Sequence, residues 1–570
     1  MNRLRGAVVA AVALTSLAFA PAVAAGKPPA PPSGKPPIVM DKSVVDVQIL
    51  ALNDFHGNLE PPSGSSGRVG TPPNTVDAGG AEYLATHVKA LEATNRNTVV
   101  VSAGDLIGAS PLLSALFHDE PTIEAMNQIG LDINAVGNHE FDEGADELLR
   151  MQNGGCHPTD GCLDGDGFAG ADFQFLAANV VDESSGDTIF PPYTIENYNG
   201  AKVAFIGMTL EGTPLIVSPS GVAGLQFNDE ADTVNALVPR LKQMGVSAIV
   251  VLVHEGGLPA AFGINECNGI SGPIVDIVDR MDPRVDLVIS GHTHQPYNCV
   301  IDGIPVTSAY SFGRLVTDID MRVDRAKKEV TSIAIENKIV TRDVPEDAGI
   351  TSLIERYDVI AAPIANRVIG SITATITRTA NPAGESALGD VIADAQLDAT
   401  DDPGFGDAVA AFMNPGGIRA DLTYAGSSAG EGDGNVTYGE MFTVQPFGNS
   451  LVTMTLTGTQ IDTLLEQQFE GAFRILQVSD GFTYTWSQSA PVGSKVDIAT
   501  IAIDGVAIDP AASYRVTVNS FLADGGDRFP VLVEGTNRLG GAVDTDAFEA
   551  YFVANSPVSP GPQNRITLVP

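Results

Sequence analysis

The sequence predicts an α/β protein in two parts, a layered N-terminal domain and a C-terminal α+β domain. From residue 45 to about residue 323, β-rich apolar runs alternate with polar loops and helical stretches, a pattern typical of layered α/β domains. The runs are VDVQILALND, NTVVVSAGD, DINAVGNHEFD, AKVAFIGMT, SAIVVLVHEG and DLVISGHTH. At 570 residues, the chain is long enough for more than one hydrophobic core.

The second observation is a change of pattern beyond residue 366. Residues 386–395 place apolar side chains at the i, i+3, i+4 and i+7 positions of an amphipathic helix. Short β-rich runs follow, namely LVTMTLTG, KVDIATIAIDG and YRVTVNSF. This mixture predicts an α+β domain over residues 367–570. Residues 341–366 have apolar side chains near helical spacing, and they are predicted to form a connecting helix.

The N-terminal residues predict export. Residues 1–25 have the pattern of a secretory signal peptide, with two arginines, an apolar stretch and then small residues. Residues 26–44 are Pro-rich and are predicted to form an extended tether. No later segment has about 18 consecutive apolar residues, so no integral membrane segment is expected after cleavage. We therefore expect a secreted protein, extracellular or loosely associated with the cell wall.

The four cysteines fit two disulfide bonds, because an exported protein meets an oxidising compartment. Cys156 and Cys162 flank a short polar loop and are expected to pair. Cys267 and Cys299 are then left to pair by elimination. Zinc ligation by the cysteines is the less favoured alternative, because no two of them have C-x-x-C spacing.

The charge of the chain argues against one class of function. The formal net charge is −39 at pH 7. A protein that wraps nucleic acid needs clustered Lys and Arg to neutralise phosphates. We therefore expect a small-molecule substrate and no nucleic-acid partner, and any anionic substrate must be held by local basic residues.

Polar side chains that can bind metal follow the apolar runs of the N-terminal part. Taken singly, each is more often a capping or hydrogen-bonding residue than a ligand. Their joint occurrence, at what we expect to be the ends of five strands of one sheet, favours a metal centre. The residues are Asp54, His56, Asp105, Asn138, His139, Asp142, His254, His292 and His294, which include five of the eight histidines.

The types of ligand predict which ions this centre binds. Mixed Asp, Asn and His ligation without cysteine suits divalent ions such as Zn²⁺, Mn²⁺ or Co²⁺. There are too many candidate ligands for one ion, so we expect two ions that share one carboxylate. Two ions about 3.5–4 Å apart are a standard arrangement for displacement at phosphorus. The sequence therefore predicts a dinuclear centre that acts on a phosphoester.

The motifs DxH, GD, GNHE, a further His and GHxH occur here in the order found in the calcineurin-like metallophosphoesterases, which this chain resembles. The resemblance implies a four-layer α/β/β/α domain over residues 45–340. It also implies that His139 stabilises the transition state or protonates the leaving group, with Asp142 orienting its imidazole. The implied ligands are Asp54, His56, Asp105 and His294 for one ion, and Asp105, Asn138, His254 and His292 for the other.

NDFHG and GNHEFD, followed by a distinct C-terminal domain, resemble more specifically the secreted bacterial 5'-nucleotidase and UDP-sugar hydrolase family. The likeness covers nearly all of residues 45–560. In the second domain it rests on NPGGIR, QPFG and NSFLADGGD. The substrate-binding residues that it implies are Asn414, Arg419, Phe447, Phe521 and Asp527.

Each of these residue types suits a part of a nucleotide. Arg419 has a planar guanidinium that fits phosphate. Phe447 and Phe521 can hold a base between their faces, although either ring alone would more often belong to a hydrophobic core. The resemblance assigns Asn414 to the base edge and Asp527 to the ribose hydroxyls.

One departure from the family pattern concerns the phosphate site. Family members often have an arginine just before the Glu of the E-x-x-L-G-(N/D) helix, where this chain has Gly384 before Glu385. Our hypothesis is that Arg378, at the start of the same loop, compensates by binding phosphate.

The predicted function is that of a secreted dinuclear-metal phosphohydrolase, which removes the 5'-phosphate of nucleoside monophosphates to give nucleoside and phosphate. A 2',3'-cyclic-nucleotide phosphodiesterase, a UDP-sugar hydrolase or a dinucleotide pyrophosphatase would use the same residues and stays open as an alternative. A non-catalytic surface binding protein is disfavoured, because it predicts missing ligands and none is missing. The sequence does not predict the oligomeric state.

Overall fold

The computed structural model describes residues 43–62, 64–71, 73–217, 221–426, 430–471 and 473–570. The predicted signal peptide and nearly all of the predicted tether lie outside the described residues. None of the described helices combines the length and apolarity needed to cross a membrane. The α-helices are Ala81–Glu92, Leu112–Ala115, Glu120–Ile129, Ala145–Asn153, Glu230–Gln243, Pro273–Arg280, Ala348–Ala365, Ala387–Asp398, Tyr438–Val444, Gly458–Gln467, Ser520–Ala523 and Asp544–Asn555.

Two six-stranded sheets form the N-terminal half. Four neighbouring strands of the first sheet are parallel, and the two C-terminal strands of this half add to its edge in antiparallel orientation. The spatial order is Glu329–Ile339, Leu315–Asp324, Val44–Leu52, Thr98–Ser102, Ile133–Ala135 and Gln174–Leu176.

The second sheet has four parallel strands at its centre and an antiparallel strand at each edge. Its spatial order is Pro296–Ile301, Ile304–Ala309, Leu287–Ser290, Ala248–His254, Ala201–Thr209 and Tyr193–Tyr198. All six apolar runs of this half therefore contain strands, as predicted.

The side chains of the strand Val44–Leu52 point alternately to the two faces of the first sheet, which explains how the layers pack. Val47 and Ile49 point into the core between the two sheets, whereas Leu50 and Leu52 point into the core under a layer of helices. Helices including Ala81–Glu92 and Glu120–Ile129 cover the first sheet. The helices Glu230–Gln243 and Pro273–Arg280 cover the second. The predicted four-layer α/β/β/α arrangement is confirmed.

The helix Ala348–Ala365 lies within the predicted connecting segment. Asp347 caps it by accepting the N–H groups of Gly349 and Ile350. Its buried residues belong to the core under the first sheet, and it also contacts the helix Tyr438–Val444 of the C-terminal half. This helix therefore touches both halves of the chain.

The C-terminal half has a mixed sheet with helices on both sides, which confirms the α+β prediction. The five strands of this sheet are, in spatial order, Gln477–Val478, Ala410–Met413, Ser513–Asn519, Ser450–Thr457 and Thr536–Val543. A second sheet has the order Val506–Ala507, Ala502–Ile503, Phe482–Ser487 and Ile566–Val569. Small two-stranded pairs, distributed over both halves, are Arg68–Thr71 with Asn74–Asp77, Val180–Asp182 with Leu225–Phe227, and Val368–Ser371 with Asn435–Thr437.

One apolar run of this half does not form the expected strand. In KVDIATIAIDG, only Ala502–Ile503 has strand geometry, and it follows the 3-10 helix Ile498–Thr500. Asp497 accepts the N–H of Ala499 and so caps this helical turn. This local hydrogen bond between a side chain and the backbone favours a helical turn over the strand that the apolar pattern predicts.

Both predicted disulfide bonds are confirmed. Cys156 is bonded to Cys162, and Cys267 is bonded to Cys299. The first closes a short loop, and the second attaches the strand Pro296–Ile301 to the loop before the helix Pro273–Arg280. Cysteine ligation of zinc is thereby overturned.

The buried carboxyl of Asp390 predicts a pH-dependent stability. Burial raises the pKa of Asp390 to about 8, against the nearby charge of Arg565. Between about pH 4 and pH 8 the unfolded chain is ionised at this residue while the folded chain keeps its proton, so stability falls as pH rises. We expect Asp390→Asn to raise the free energy of unfolding by roughly 1–3 kcal/mol at pH 8, with little effect at pH 4.

Urea unfolding at pH 4, 6 and 8 checks this expectation. Asp398→Asn is the matched control, because Asp398 is an exposed aspartate of the same helix. A wild-type decline with pH that persists in Asp390→Asn would show that another group is responsible.

Candidate functional site

The polar residues that follow the strands lie on tight loops with a left-handed backbone. In the part of the chain that the structure describes, positive φ occurs at five of the seven predicted metal ligands. Such φ values are uncommon for residues other than glycine, and they concentrate at functional sites. These residues, with their φ angles, are Asp54 at 51°, His56 at 48°, Asp105 at 51°, His292 at 67° and His294 at 51°.

The expectation that these loops follow strands of one sheet is wrong. The loops with Asp54, Asp105 and Asn138 follow strands of the first sheet. His254 ends one strand of the second sheet, and the loop with His292 follows another. The two sheets pack face to face with these strand ends on the same side, which brings the loops together. Sheet membership depends on pairing in space, which the local pattern of apolar residues does not encode.

Asp54, His56 and His294 form the first group of possible ligands. His294 Nε2 lies 3.2 Å from Asp54 Oδ1. His56 Nε2 lies 3.1 Å from His294 Nε2 and 3.6 Å from Asp105 Oδ2. Nitrogen and carboxylate oxygen atoms therefore face one another at distances that suit a shared cation.

Asp105, Asn138, His254 and His292 form the second group. His254 Nε2 lies 3.0 Å from Asp105 Oδ2, and His292 Nδ1 lies 3.0 Å from Asn138 Oδ1. Because Asp105 Oδ2 contacts a histidine of each group, Asp105 lies between them. The structure thus brings all seven predicted ligands into two adjoining groups.

The hydrogen bonds of two histidines test whether these residues fit a metal. His56 Nδ1 is 2.9 Å from the carbonyl of Gly108, and His254 Nδ1 is 2.7 Å from the carbonyl of Ala103. A carbonyl only accepts, so both Nδ1 atoms donate, which leaves each Nε2 as the atom that can bind a cation. Metal-binding histidines are held in this way. His254 Nε2 is buried and lies 3.0 Å from Asp105 Oδ2. The donor set fits divalent metal.

The pKa values of the group agree with this reading. Burial lowers the pKa of His56 well below its ordinary value. Burial would raise the pKa of Asp105, but the charges of His254 and His139 hold it well below its ordinary value. Although burial opposes it, Asp105 raises the pKa of His254 to about 10. Without a metal, a proton is held between His254 and Asp105, in a position that a cation would take.

Glu140 organises the loops around Asp105. Its carboxylate accepts the backbone N–H groups of Asp105 at 3.0 Å, Leu106 at 3.0 Å and Gly137 at 2.7 Å. No role was assigned to Glu140 from the sequence, although the residue belongs to the GNHE motif. Its burial and its three backbone partners show that it supports the loops.

His139 and Asp142, the predicted catalytic residues, lie beside this centre. His139 Nδ1 is 2.8 Å from Asp142 Oδ2, and the backbone N–H of His139 donates to Asp105 Oδ1 at 2.9 Å. Burial would lower the pKa of His139, but the charges of Asp142 and Asp105 raise it above its ordinary value. The imidazole also stacks on Phe447 of the C-terminal half, with ring centroids 5.7 Å apart.

A cavity of about 240 Å³ joins this centre to the C-terminal half. It contains both predicted catalytic residues, two of the predicted metal ligands and five of the six predicted substrate-binding residues. Phe447 and Phe521 both line it, and no ring contact joins them within the described residues. The lining residues include Asn138, His139, Asp142, His292, Asn414, Arg419, Phe447, Asn449, Arg474, Asn519, Phe521 and Asp527.

At the far end of the cavity, Asn414 is held by two neighbours. Its amide donates to Asp527 Oδ2 at 2.8 Å, and its carbonyl oxygen accepts from Asn519 at 3.0 Å. Arg474 Nε lies 3.5 Å from Asp527 Oδ1, and its buried Nη1 has no hydrogen-bond partner among the described residues. Sequence reasoning missed Arg474 because it stands alone before an apolar run.

The two arginines predicted to bind phosphate differ in position. Arg419 lines the cavity, and its guanidinium lies 5.8 Å from the Phe447 ring. Arg378 is not a lining residue, and its guanidinium donates to the carbonyl of Ile418 at 3.2 Å. Burial and the nearby charge of Arg378 both lower the pKa of Arg419.

Comparisons with known proteins agree with the geometry. The family model described as calcineurin-like phosphoesterase matches residues 47–296. The model described as 5'-nucleotidase, C-terminal domain, matches residues 368–534. The first match contains all the predicted metal ligands, and the second contains all the predicted substrate-binding residues.

Individual relatives span most of the chain. The endonuclease YhcR of Bacillus subtilis is 33% identical over 92% of this chain, which spans only 41% of that protein's length. The cell wall protein Lmo0130 of Listeria monocytogenes is 32% identical, over 89% of this chain and 67% of that protein. A crystal structure of a 5'-nucleotidase precursor from Thermus thermophilus is 26% identical, with a TM-score of 0.74 over 92% of this chain and 99% of that one.

The chain therefore belongs to the 5'-nucleotidase family of metal-dependent phosphoester hydrolases, with a calcineurin-like phosphoesterase domain followed by a 5'-nucleotidase C-terminal domain.

Proposed function

We propose that the protein removes the 5'-phosphate of nucleoside monophosphates and releases nucleoside and phosphate. The observation that carries this proposal is that one cavity is lined both by candidate metal ligands, Asn138 and His292, and by two aromatic rings, Phe447 and Phe521, that do not contact each other. A molecule that suits both sets of residues carries a phosphate and an aromatic base. A nucleoside monophosphate is a small molecule of that kind.

The proposed centre holds two divalent ions, of which Zn²⁺, Mn²⁺ and Co²⁺ suit the donors. Asp54, His56 and His294 would hold one ion, and Asn138, His254 and His292 the other, with Asp105 shared. When bound, such ions neutralise the charge of the phosphoryl group and act as Lewis acids.

His139 is the proposed catalytic residue of the protein itself. Its Nδ1–H donates to Asp142, which leaves Nε2 as the atom that can act on the substrate. An imidazolium there would stabilise the transition state or protonate the departing ribose oxygen. Asp142 is a positioning residue, because it orients the imidazole and favours the protonated form.

The proposed substrate contacts divide the nucleotide into three parts. Arg419 would bind phosphate oxygens through its fork of N–H donors. Phe447 and Phe521 would hold the base between their faces, which requires Phe447 to move off the ring of His139. Asn414 would meet the base edge, and Asp527 the ribose hydroxyls.

The proposal also covers the domains and the location of the protein. We infer a catalytic domain over residues 45–340, the connecting helix within 341–366 and a substrate-binding domain over 367–570. We infer secretion from the predicted signal peptide, the two disulfide bonds and the cell wall protein among the relatives. N-terminal sequencing of protein recovered from the medium would test secretion, because cleavage should leave a start near residue 25 or 26.

The substrate is tested with metal-stripped protein that is reloaded with Mn²⁺, Co²⁺ or Zn²⁺. AMP, UMP, UDP-glucose, 2',3'-cyclic AMP and linear DNA are parallel substrates, and both phosphate and nucleoside products are measured. We expect metal-dependent conversion of AMP or UMP to nucleoside and phosphate, and none in the stripped protein. Turnover of the diester, the sugar nucleotide or DNA without turnover of monophosphates would replace the proposal with one of the alternatives.

Substitution of His139 should separate catalysis from metal binding. We expect His139→Asn to lower kcat by roughly 10²- to 10⁴-fold, because a positioned acid is lost. The metal content, measured by mass spectrometry, should stay at the wild-type level, since His139 is not a proposed ligand. His87→Gln is the control, because His87 lies outside the cavity. Loss of metal in His139→Asn would mean that His139 is a ligand.

The two arginines should differ in their effect on substrate binding. We expect Arg419→Ala to lower kcat/KM for AMP by roughly 10- to 100-fold, the value of a hydrogen bond to a charged group. If Arg378 compensates for Gly384, Arg378→Ala should also raise KM. An unchanged KM in Arg378→Ala would refute that hypothesis and leave Arg419 as the phosphate-binding residue.

A further inference from the structure

A second cluster of imidazoles and carboxylates lies apart from the proposed dinuclear centre. Of the three histidines outside the candidate functional site, His118 and His157 stack on each other with ring centroids 3.8 Å apart. Asp160 lies beside both, with Oδ2 at 3.0 Å from His118 Nε2 and 3.5 Å from His157 Nδ1. Three possible ligand atoms, one from each residue, lie within 4.8 Å of one another.

The hydrogen bonds of the two rings identify the atoms that could bind a metal. His157 Nδ1 accepts the N–H of Asp160 at 3.1 Å, so this nitrogen is unprotonated, and a metal ion would replace this hydrogen bond. His118 Nδ1 lies 2.7 Å from Glu143 Oε2, to which it donates. A carboxylate on the far nitrogen is the arrangement that orients metal-binding histidines. His118 Nε2 is therefore directed at Asp160 by a partner of its own.

The two sides of the cluster are held by separate parts of the fold. His118 lies in the turn between the helices Leu112–Ala115 and Glu120–Ile129, with a left-handed φ of 51°. The next residue, Asp119, anchors this turn by accepting the N–H of Gly108 at 2.9 Å. His157 and Asp160 lie on the loop that the Cys156–Cys162 disulfide closes. To bind one ion, the two rings have to leave their stacked arrangement, because an imidazole binds a metal in the plane of its ring.

Exposure and charge both favour a cation. The side chains of His118 and His157 are 17% and 16% exposed, and that of Asp160 is 47% exposed, so an ion can enter from solvent. Glu143 and Glu147 add negative charge beside His118, although Glu147 is paired with Arg150. Two imidazoles and one carboxylate are ligands that zinc commonly takes, with an open position for solvent.

We propose that His118, His157 and Asp160 form a zinc site separate from the dinuclear centre, in which His118 Nε2, His157 Nδ1 and Asp160 Oδ2 bind Zn²⁺ and Glu143 orients His118. Water completes the coordination. The ion replaces the proton that His118 Nε2 shares with Asp160, and that proton leaves to solvent.

The proton is the competing occupant of this position. The hydrogen bond to Glu143 raises the pKa of His118 to about 9, so in the ion-free protein the ring is charged at neutral pH. A charged ring between two carboxylates would hold the same three segments together without metal. The experiment must therefore distinguish a zinc ion from a proton.

The site lies next to the catalytic residues, which gives it a role in the fold. Glu143 directly follows Asp142, the partner of His139. A second cavity, of about 110 Å³, is lined by His118, Glu143, Asp142 and His139. Zinc at this position would attach the disulfide loop to the turn that carries His118. Glu143 links that turn to Asp142, so the ion would limit the movement of both turns.

The test counts zinc ions in the mature protein. Metal-stripped protein is incubated with ZnCl₂, freed of unbound zinc by gel filtration and measured by mass spectrometry. We expect His118→Gln and His157→Gln each to retain one zinc ion per chain fewer than the wild type, and His87→Gln to retain the wild-type number. Glu143→Gln should keep the site but bind zinc roughly 10- to 100-fold more weakly.

A double variant makes the result independent of the dinuclear centre. Asp105→Ala combined with His254→Ala disrupts the proposed dinuclear centre. This variant should still retain one tightly bound zinc ion, and the further substitution His118→Gln should remove it. Far-UV circular dichroism checks that each variant is folded, and Asp160→Asn substitutes for any histidine variant that is not. Equal zinc contents in the folded variants and their parents would overturn the proposal and show that a proton occupies the cluster.

Discussion

The loops of the candidate centre depend on one buried carboxylate, that of Glu140. It accepts backbone N–H groups from the loops after two neighbouring strands, Thr98–Ser102 and Ile133–Ala135. Three donors oppose the loss of water around this carboxylate, although burial and the charge of Asp105 still raise the pKa of Glu140 to about 7. Because one of them is the N–H of Asp105, Glu140 sets the position of the residue that lies between the two ligand groups. A displacement there would move both groups at once.

The two halves of the chain contribute different kinds of chemistry to one cleft. The N-terminal half supplies carboxylates and imidazoles from the ends of buried strands, which are rigid supports. The C-terminal half supplies aromatic rings, amides, two arginines and the carboxylate of Asp527. The contact between His139 and Phe447 is where these sets meet, since the ring of one stacks on the ring of the other. Neither half alone has the features of a complete site.

The sequence predicted the strands and a clustering of polar residues at their ends because both depend on local patterns. Five of the six apolar runs end in polar residues that the structure brings into two adjoining groups. What it could not predict is decided by contacts between distant residues. The division of the strands between two sheets is of this kind, and so is the position of Arg474, which lines the cavity beside Asp527. The strand predicted over the run that contains Asp497 did not form for the opposite reason. One local side-chain hydrogen bond outweighed the apolar pattern of the run.

The left-handed residues of the centre have a consequence for the evolution and engineering of this protein. Each non-glycine residue held in that region costs on the order of 1–3 kcal/mol. At Asp54, His56, Asp105, His292 and His294, glycine would relieve this strain while removing the ligand. A selection that rewards thermal stability alone would therefore favour substitutions that erase the centre. A search for more robust variants has to keep these five positions constant and seek its gains in the helices and outer strands.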